Sequence, residues 1–317
     1  MNEKIDIRQF KRASKTAEFA ALFRTLEYSF PKERRLVEDP FAFHFLSRPL
    51  KLIAALARIP VAGWWIPGLI DRVEPGARAS GVARTRLIDD HLIYALSRGI
   101  SQVVILGSGY DSRPYRIPEC RKTRVFEVDQ AGILRLKRTK LDRLLHRFPG
   151  NVSFVKTDLN IEKINETLRQ HGFNKNKPAF FIWEGVTQYL TRRAVDQTMD
   201  FISGTAPGSF LLFTYVHKKA IEQWLNGPKA NWIRRWVKQM GEPWIFGFDP
   251  KELPDYLNRY GLELVEDVDS KTFRQRYMNP RSPHIEEYRF YRAALARVKS
   301  EEQPRIRFFR SFFRQME

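Results

Sequence analysis

The apolar run Val103-Val104-Ile105-Leu106 ends directly in Gly107-Ser108-Gly109-Tyr110-Asp111. A strand that breaks into Gly-x-Gly is suited to holding a nucleotide. The first glycine permits a tight turn, and the second lets main chain approach a ligand with no Cβ between them. Asp129 follows Gly107 by 22 residues and closes the next apolar run, Phe126-Glu127-Val128. An acid about that far along, at the tip of the second strand, can accept hydrogen bonds from both hydroxyls of a ribose. Gly107, Gly109 and Asp129 together predict a cofactor with an adenine ribose laid across the ends of two strands. The plain alternative is a glycine turn beside a solvated strand-end acid.

Charge chooses between cofactors. A dinucleotide rests its pyrophosphate on a helix N-terminus beside a third small residue. Here Ser112 takes that position, and Asp111 places a carboxylate where a phosphate would lie. S-adenosylmethionine has no phosphate, and its sulfonium and ammonium tolerate carboxylates, so the residues favour a methyl donor over NAD. Thr157-Asp158-Leu159 follows a third apolar run; Asp158 can accept from the adenine amine and Leu159 can pack on the ring. Glu184, in Trp183-Glu184-Gly185-Val186, follows a fourth run and can face the amino-acid part of the cofactor. Arg84 offers a planar fork to the cofactor carboxylate. Each of these charges taken singly is equally a solvated one; their placement after successive strands joins them.

Methyl transfer is an in-line displacement at an activated carbon, so alignment and desolvation carry most of the catalysis. A carboxylate acceptor is ionised at neutral pH and needs no general base. A phenol or alcohol would need one, and Tyr215 and His217, at the end of the fifth apolar run, stand nearest. The catalytic set is otherwise open. With six histidines and no His/Cys cluster at metal-ligand spacing, no metal is expected.

The elements that must position these residues show in the change of period. Residues 13–48 and 77–98 read as helical, with Pro31 stopping the first helix and Asp39-Pro40 opening another. Ile59–Ile70 holds 12 residues interrupted by Pro60, Gly63, Pro67 and Gly68. A spanning helix needs about 20 apolar residues, so this reads as a buried connection, or else as an interfacial or substrate-lining loop with Trp64 and Trp65 exposed. From residue 100 onward the runs are short. Gln102–Leu106, Arg124–Val128, Val152–Val155, Ala179–Trp183 and Ser209–Tyr215 read as strands, with Ile133–Phe148 and Arg192–Ile202 as helices between them. Helix Pro250–Tyr260 and strands Leu262–Glu266 and Glu287–Val298 follow. The pattern predicts an α/β, Rossmann-like fold: a mostly parallel seven-stranded sheet covered on both faces, with a helical N-terminal cap. The expected organisation is one domain over 1–303, divided into cap 1–100 and core 101–303, followed by a basic amphipathic tail 304–317.

Lys and Arg number 55 and Asp and Glu 36, a formal charge of +19. That field attracts nucleic acid, anionic lipid or acidic small molecules. Residues 121–147 hold nine Lys/Arg and three acids, but no nucleic-acid-binding motif accompanies them; a nucleic-acid methyltransferase or a basic binding protein is the alternative to an acidic small-molecule acceptor. The tail interleaves Arg305, Arg307, Arg310 and Arg314 with Phe308, Phe309, Phe312 and Phe313, a composition able to lie on anionic membrane. The single cysteine, Cys120, excludes a disulfide framework. Met1 to Arg12 lacks the apolar core of a signal peptide. The expected location is the cytoplasm, with the tail able to rest on the inner face of a membrane; oligomeric state is left open.

From about Ser14 to Val298 the chain resembles the leucine carboxyl methyltransferase-like group of class I S-adenosylmethionine-dependent methyltransferases. It is similar to the bacterial branch that includes polyketide carboxyl O-methyltransferases. The resemblance is carried by residues 84–90 (RTRLIDD), 102–116 (QVVILGSGYDSRPYR), 126–130 (FEVDQ), 183–190 (WEGVTQYL) and 241–244 (GEPW). It implies O-methylation of a carboxylate, with Arg84, Gly107, Asp129, Asp158, Leu159 and Glu184 binding the cofactor. Ser108 stands where alanine is common in the group.

Overall fold

Successive side chains of a strand point to opposite faces, and strand β1, Gln102–Leu106, is buried along its whole length. Val104 and Leu106 enter one hydrophobic cluster, and Val103 and Ile105 enter another on the opposite face. The run was continuously apolar for this reason: both faces of the strand are covered. The structure is a computed structural model that describes residues 7–59, 62–73, 76–226, 244–278 and 290–299. Strands β2 (Arg124–Asp129), β3 (Val152–Lys156), β4 (Ala179–Trp183), β5 (Phe210–Val216), β6 (Leu262–Asp269) and β7 (Tyr291–Val298) complete a seven-stranded sheet in the order β3-β2-β1-β4-β5-β7-β6. The first five run parallel, and β7 is antiparallel to both of its neighbours. The α/β architecture is as expected. Strand β6 runs further than its apolar pattern, because a register shift between Leu264 and Glu266 breaks the alternation. Residues 287–289, the expected start of the last strand, lie outside the described residues, as do the 304–317 tail and Gly241-Glu242-Pro243.

Every helix described before β1 belongs to the cap: α1 (Ile7–Tyr28), α2 (Arg48–Leu56), α3 (Ala62–Val73) and α4 (Ala77–Ser97). Helix α1 ends three residues before Pro31. Asp39 accepts the N–H groups of Phe41 and Ala42 at 3.0 Å each, but the helix expected to open at Asp39-Pro40 is only a 3-10 turn, Ala42–Phe45, and its N-cap is Phe41. The expected connection at 59–70 is instead largely helix. Helix α3 runs through Gly63, Pro67 and Gly68, and Trp65 and Leu69 on it are exposed, so it is not a buried connection. Its packing against α2 and α4 overrides the poor local propensity. The side chain of Trp64 lies outside the described set.

In the core, α5 (Arg113–Arg116) follows the glycine loop, α6 (Ala131–Leu141) joins β2 to β3, α7 (Ile164–Gln170) joins β3 to β4, and α8 (Arg192–Ser203) joins β4 to β5. Helix α6 ends seven residues short of the expected Phe148. Ile88, Leu92 and Ala95 of α4 cover the face that carries Val103 and Ile105. Val195, Met199 and Ile202 of α8 cover the other.

Candidate cofactor site

From β1 the sheet order departs to β2 on one side and to β4 on the other. Such a switch opens a crevice at the carboxyl ends of the strands. Gly107 follows β1, Asp129 ends β2, Asp158 follows β3 and Glu184 follows β4. The parallel pairing brings all four to one edge, as the sequence implied. Arg84 reaches Glu184 from α4.

The glycine loop is a tight turn in fact. Gly107 has φ +67°, and its N–H and that of Ser108 both donate to the Val128 carbonyl, at 2.8 and 3.0 Å. The neighbours that require glycine are protein atoms as well as any ligand. A Cβ on Gly107 would lie 2.4 Å from a Val186 methyl, and one on Gly109 would lie 3.2 Å from Ala17 of α1. The cap therefore closes over this turn. Asp129 is half-buried; its Oδ2 accepts the Gly109 N–H and its Oδ1 the Gln130 N–H, at 2.7 Å each. Burial pushes its carboxyl up, and the two N–H groups and the Lys137 charge offset only part of that. Gln130 in turn donates to Asp158 at 3.1 Å.

Arg113, only 2% exposed, organises the charges. Its Nε donates to Asp89 at 2.7 Å, and its Nη1 donates to Asp111 at 2.5 Å and to Glu184 at 2.9 Å. Arg84 Nε holds the other oxygen of Glu184 at 2.7 Å and stacks 4.8 Å from the centre of the Tyr291 ring. Burial raises the Glu184 carboxyl, but Arg113 and Arg84 outweigh it and hold it below its ordinary value. Asp111 is treated likewise: Arg113, Lys137 and the Arg113 N–H overcome burial and bring it down to about 2. Asp111 therefore stays ionised, but its charge is matched by Arg113, and its repulsion of a phosphate is weaker than its position in the sequence implied. The better argument against a pyrophosphate is α5, which has four residues and so little dipole to offer.

Sequence reasoning missed the layer beneath the loop. Lys137 and Glu127 are fully buried and paired at 2.8 Å. Lys137 also donates to the Ser108 carbonyl at 3.3 Å, and Tyr115 donates its hydroxyl to Glu127 at 3.0 Å. The signal was present: an acid in the middle of a strand covered on both faces has to find a partner. Arg113 and Asp89 appeared in the sequence only as parts of motifs, since nothing local marks a charge as buried.

The base candidates separate. Tyr215 is wholly buried, donates its hydroxyl to Asp267 at 2.9–3.0 Å and accepts from Arg292 at 3.0 Å. Burial and the Asp267 charge push its ionisation well up. It packs the core beside Phe248 and is withdrawn as a general base. His217 stands partly exposed just past β5, its Nδ1 accepting the Lys219 N–H at 3.1 Å.

This geometry has known relatives. Residues 17–203 match the leucine carboxyl methyltransferase family. A protein of Mycobacterium avium (strain 104), assigned by name only to the S-adenosyl-L-methionine-dependent methyltransferases, is 31% identical over 242 residues, covering 73% of this chain and 77% of that one. The chain belongs to the leucine carboxyl methyltransferase family. A similarly named protein of Mycobacterium sp. (strain JLS) is 35% identical over 185 residues, 57% of this chain, and the match spans 56% of that relative's length. For the fold, this methyltransferase superposes on a crystal structure from Thermobifida fusca YX, assigned by name to the methyltransferases, with TM-score 0.56 at 20% identity, covering 87% and 97% of the two chains. A DUF574 family protein from Streptomyces avermitilis gives 0.55 at 15% identity, covering 88% and 97%.

The residues fit the family's cofactor, S-adenosylmethionine. Among the described residues, Asp129 and Asp158 make hydrogen bonds but no ion pair, which suits a ligand with a net positive charge. Ser108 Oγ and Thr157 Oγ1, on either side of Asp129, are buried with no partner among the described residues. Unpartnered buried hydroxyls are uncommon without a ligand to satisfy them. The two terminal nitrogens of Arg84 likewise carry no hydrogen bond among the described residues. No described helix is long and apolar enough to cross a membrane.

Proposed function

We propose that this methyltransferase esterifies a carboxylate of an acidic small molecule, with S-adenosylmethionine as donor. The cofactor supplies an activated methyl group when bound. Asp129 takes the ribose hydroxyls on the lone pairs that Gly109 and Gln130 leave open. Leu159 packs on the adenine and Asp158 accepts from its amine. Arg84 turns its two terminal nitrogens to the cofactor carboxylate, while Glu184, kept ionised by Arg113 and Arg84, faces the ammonium. The observation that carries the acceptor class is the withdrawal of Tyr215 into its bond with Asp267. A carboxylate acceptor needs no proton removed, so the chain's task is alignment and exclusion of water.

The test uses isotopically labelled methyl donor with a panel of acids and an extract. A carboxyl methyl ester releases volatile methanol in mild alkali, whereas a methyl ether keeps its label. Alkali-labile label is the expected result, and alkali-stable label overturns the reading. A hydroxyl acceptor is the second reading, supported by His217: burial lowers its ionisation, so it is neutral and able to take a proton near pH 7. Under that reading His217→Asn lowers kcat at least tenfold; under esterification it leaves kcat near wild type.

A further inference from the structure

Helices α2 and α3 pack against each other, and their inner residues Ala54, Ala57 and Ile66 enter one hydrophobic cluster with Tyr110 of the glycine loop. Their outer side is apolar. Leu52 is 63% exposed, Trp65 70% and Leu69 60%, with Ile53, Leu56 and Ile59 also exposed. On α2 the positions 52, 53 and 56 follow helical spacing, so they share one face; Ile59 lies in the turn that follows the helix. Scattered exposed apolar residues are ordinary, but five on one helix pair and a sixth in the turn between them form a patch that calls for a covering surface.

Charge says which surface. Residues 48–73 carry Arg48, Lys51, Arg58 and Arg72 against a single acid, Asp71. That acid is already matched by Arg78 at 2.7 Å. Lys51 and Arg58 both lie over the Phe43 ring, at 5.6 and 4.7 Å from its centre, which gathers two cations beside the apolar face. An apolar helical face with cations on the same helix pair, on a chain of charge +19, complements an anionic bilayer. A second copy of the chain would set these cations against their own kind.

We propose that the α2–α3 face is a docking surface for anionic lipid, on which Trp65, Leu69 and Leu52 enter the headgroup layer while Arg48, Lys51, Arg58 and Arg72 meet lipid phosphates. The cofactor loop stands one packing layer behind this face. An acidic acceptor with an apolar tail is thereby met at the membrane surface.

Flotation of the full chain with vesicles tests it without reading catalysis. Vesicles of equal parts phosphatidylcholine and phosphatidylglycerol are compared with phosphatidylcholine alone. The protein is expected to float with the anionic vesicles only and to come off as salt is raised. The triple variant Leu52→Glu, Trp65→Glu, Leu69→Glu should bind at least tenfold more weakly, and deletion of 304–317 should leave binding within a few-fold. Circular dichroism checks the triple variant's fold, and the milder Trp65→Ala should give a loss of the same direction. Unchanged binding by the triple variant, or binding abolished by the deletion alone, overturns the proposal. So does a wild-type dimer in analytical ultracentrifugation that the triple variant loses, which would give the face to a second copy.

Discussion

Asp129 holds two main-chain N–H groups at 2.7 Å before any ligand arrives. Each carboxylate oxygen has a further lone pair, so the residue that shapes the glycine loop also keeps the acceptors that the proposed ribose contact needs. Charge-assisted bonds of this kind contribute on the order of 1.5–3 kcal/mol. Asp129→Ala is therefore expected to weaken cofactor binding about ten- to a hundredfold, measured by isothermal titration. Read as a solvated strand-end acid, the residue would matter little to stability. Its bonds to Gly109 and Gln130 add an expected loss of about 1–3 kcal/mol in urea unfolding. Asp129→Asn keeps the size and one acceptor and should fall between the two. Wild-type affinity in both variants would place the ribose elsewhere. The place of Asp129 beside the glycine loop was legible in its distance from Gly107. The reasons for the glycines were less so, because Val186 and Ala17 meet them only after β4 and α1 have packed.

Helix α4, the glycine loop and the end of β4 are tied together by Arg113. Removing one partner of a buried ion pair leaves the others desolvated and unmatched, at a cost of about 3–5 kcal/mol. Arg113→Met leaves Asp111 without its ion-pair partner, while Asp89 keeps Arg116 and Glu184 keeps Arg84, so its urea midpoint should fall by the cost of one unmatched buried acid. Arg113→Lys keeps the charge without the fork and should lose less; a Met variant within about 0.5 kcal/mol of wild type would mean the network carries no stability. Beneath the loop, Glu127 gives β2 and α6 a pH dependence. Burial raises its carboxyl, Lys137 and Tyr115 lower it in part, and the folded value is pushed up to about 7 from an ordinary 4.5. The folded state thus holds this proton more tightly than the unfolded chain. Its contribution is complete below the unfolded value and is lost as pH rises through the folded one. Between those limits Glu127→Gln should flatten the decline of stability with pH, followed by thermal melts across the window; parallel slopes in the two proteins would refute it. The strands themselves were readable, since a parallel sheet covered on both faces must be built from short, continuously apolar runs. Helix α3 was not, because Gly63, Pro67 and Gly68 argue locally for a break that packing against α2 and α4 overrules.

At the scale of the molecule, the cap and the sheet share both core and site. Ile88, Leu92 and Ala95 of α4 close the face of β1 and β4, and the same helix supplies Arg84 and Asp89 to the charges around Glu184 and Arg113. Helix α1 lies on Gly109, and Arg24 binds the Tyr110 carbonyl at 2.7 Å and Asp39 at 2.7 Å. A core beginning near residue 100 would expose the apolar face of β1, β2 and β4 and leave Arg113 without Asp89 and Glu184 without Arg84. Burial of a large aliphatic side chain contributes roughly 1.5–3 kcal/mol, and net stabilities are only about 5–15 kcal/mol, so the losses at Ile88 and Leu92 with the ion pairs take a large share of the whole. The fragment 101–303 should therefore be insoluble or bind a hydrophobic dye, and should show no calorimetric response to S-adenosylmethionine. Limited proteolysis of the full chain should trim its ends without releasing a stable core that starts near residue 100. A soluble fragment from that point that binds the cofactor with near wild-type affinity would show that the sheet folds and holds its ligand alone. The cap would then be a separate cover, added to a site that does not depend on it.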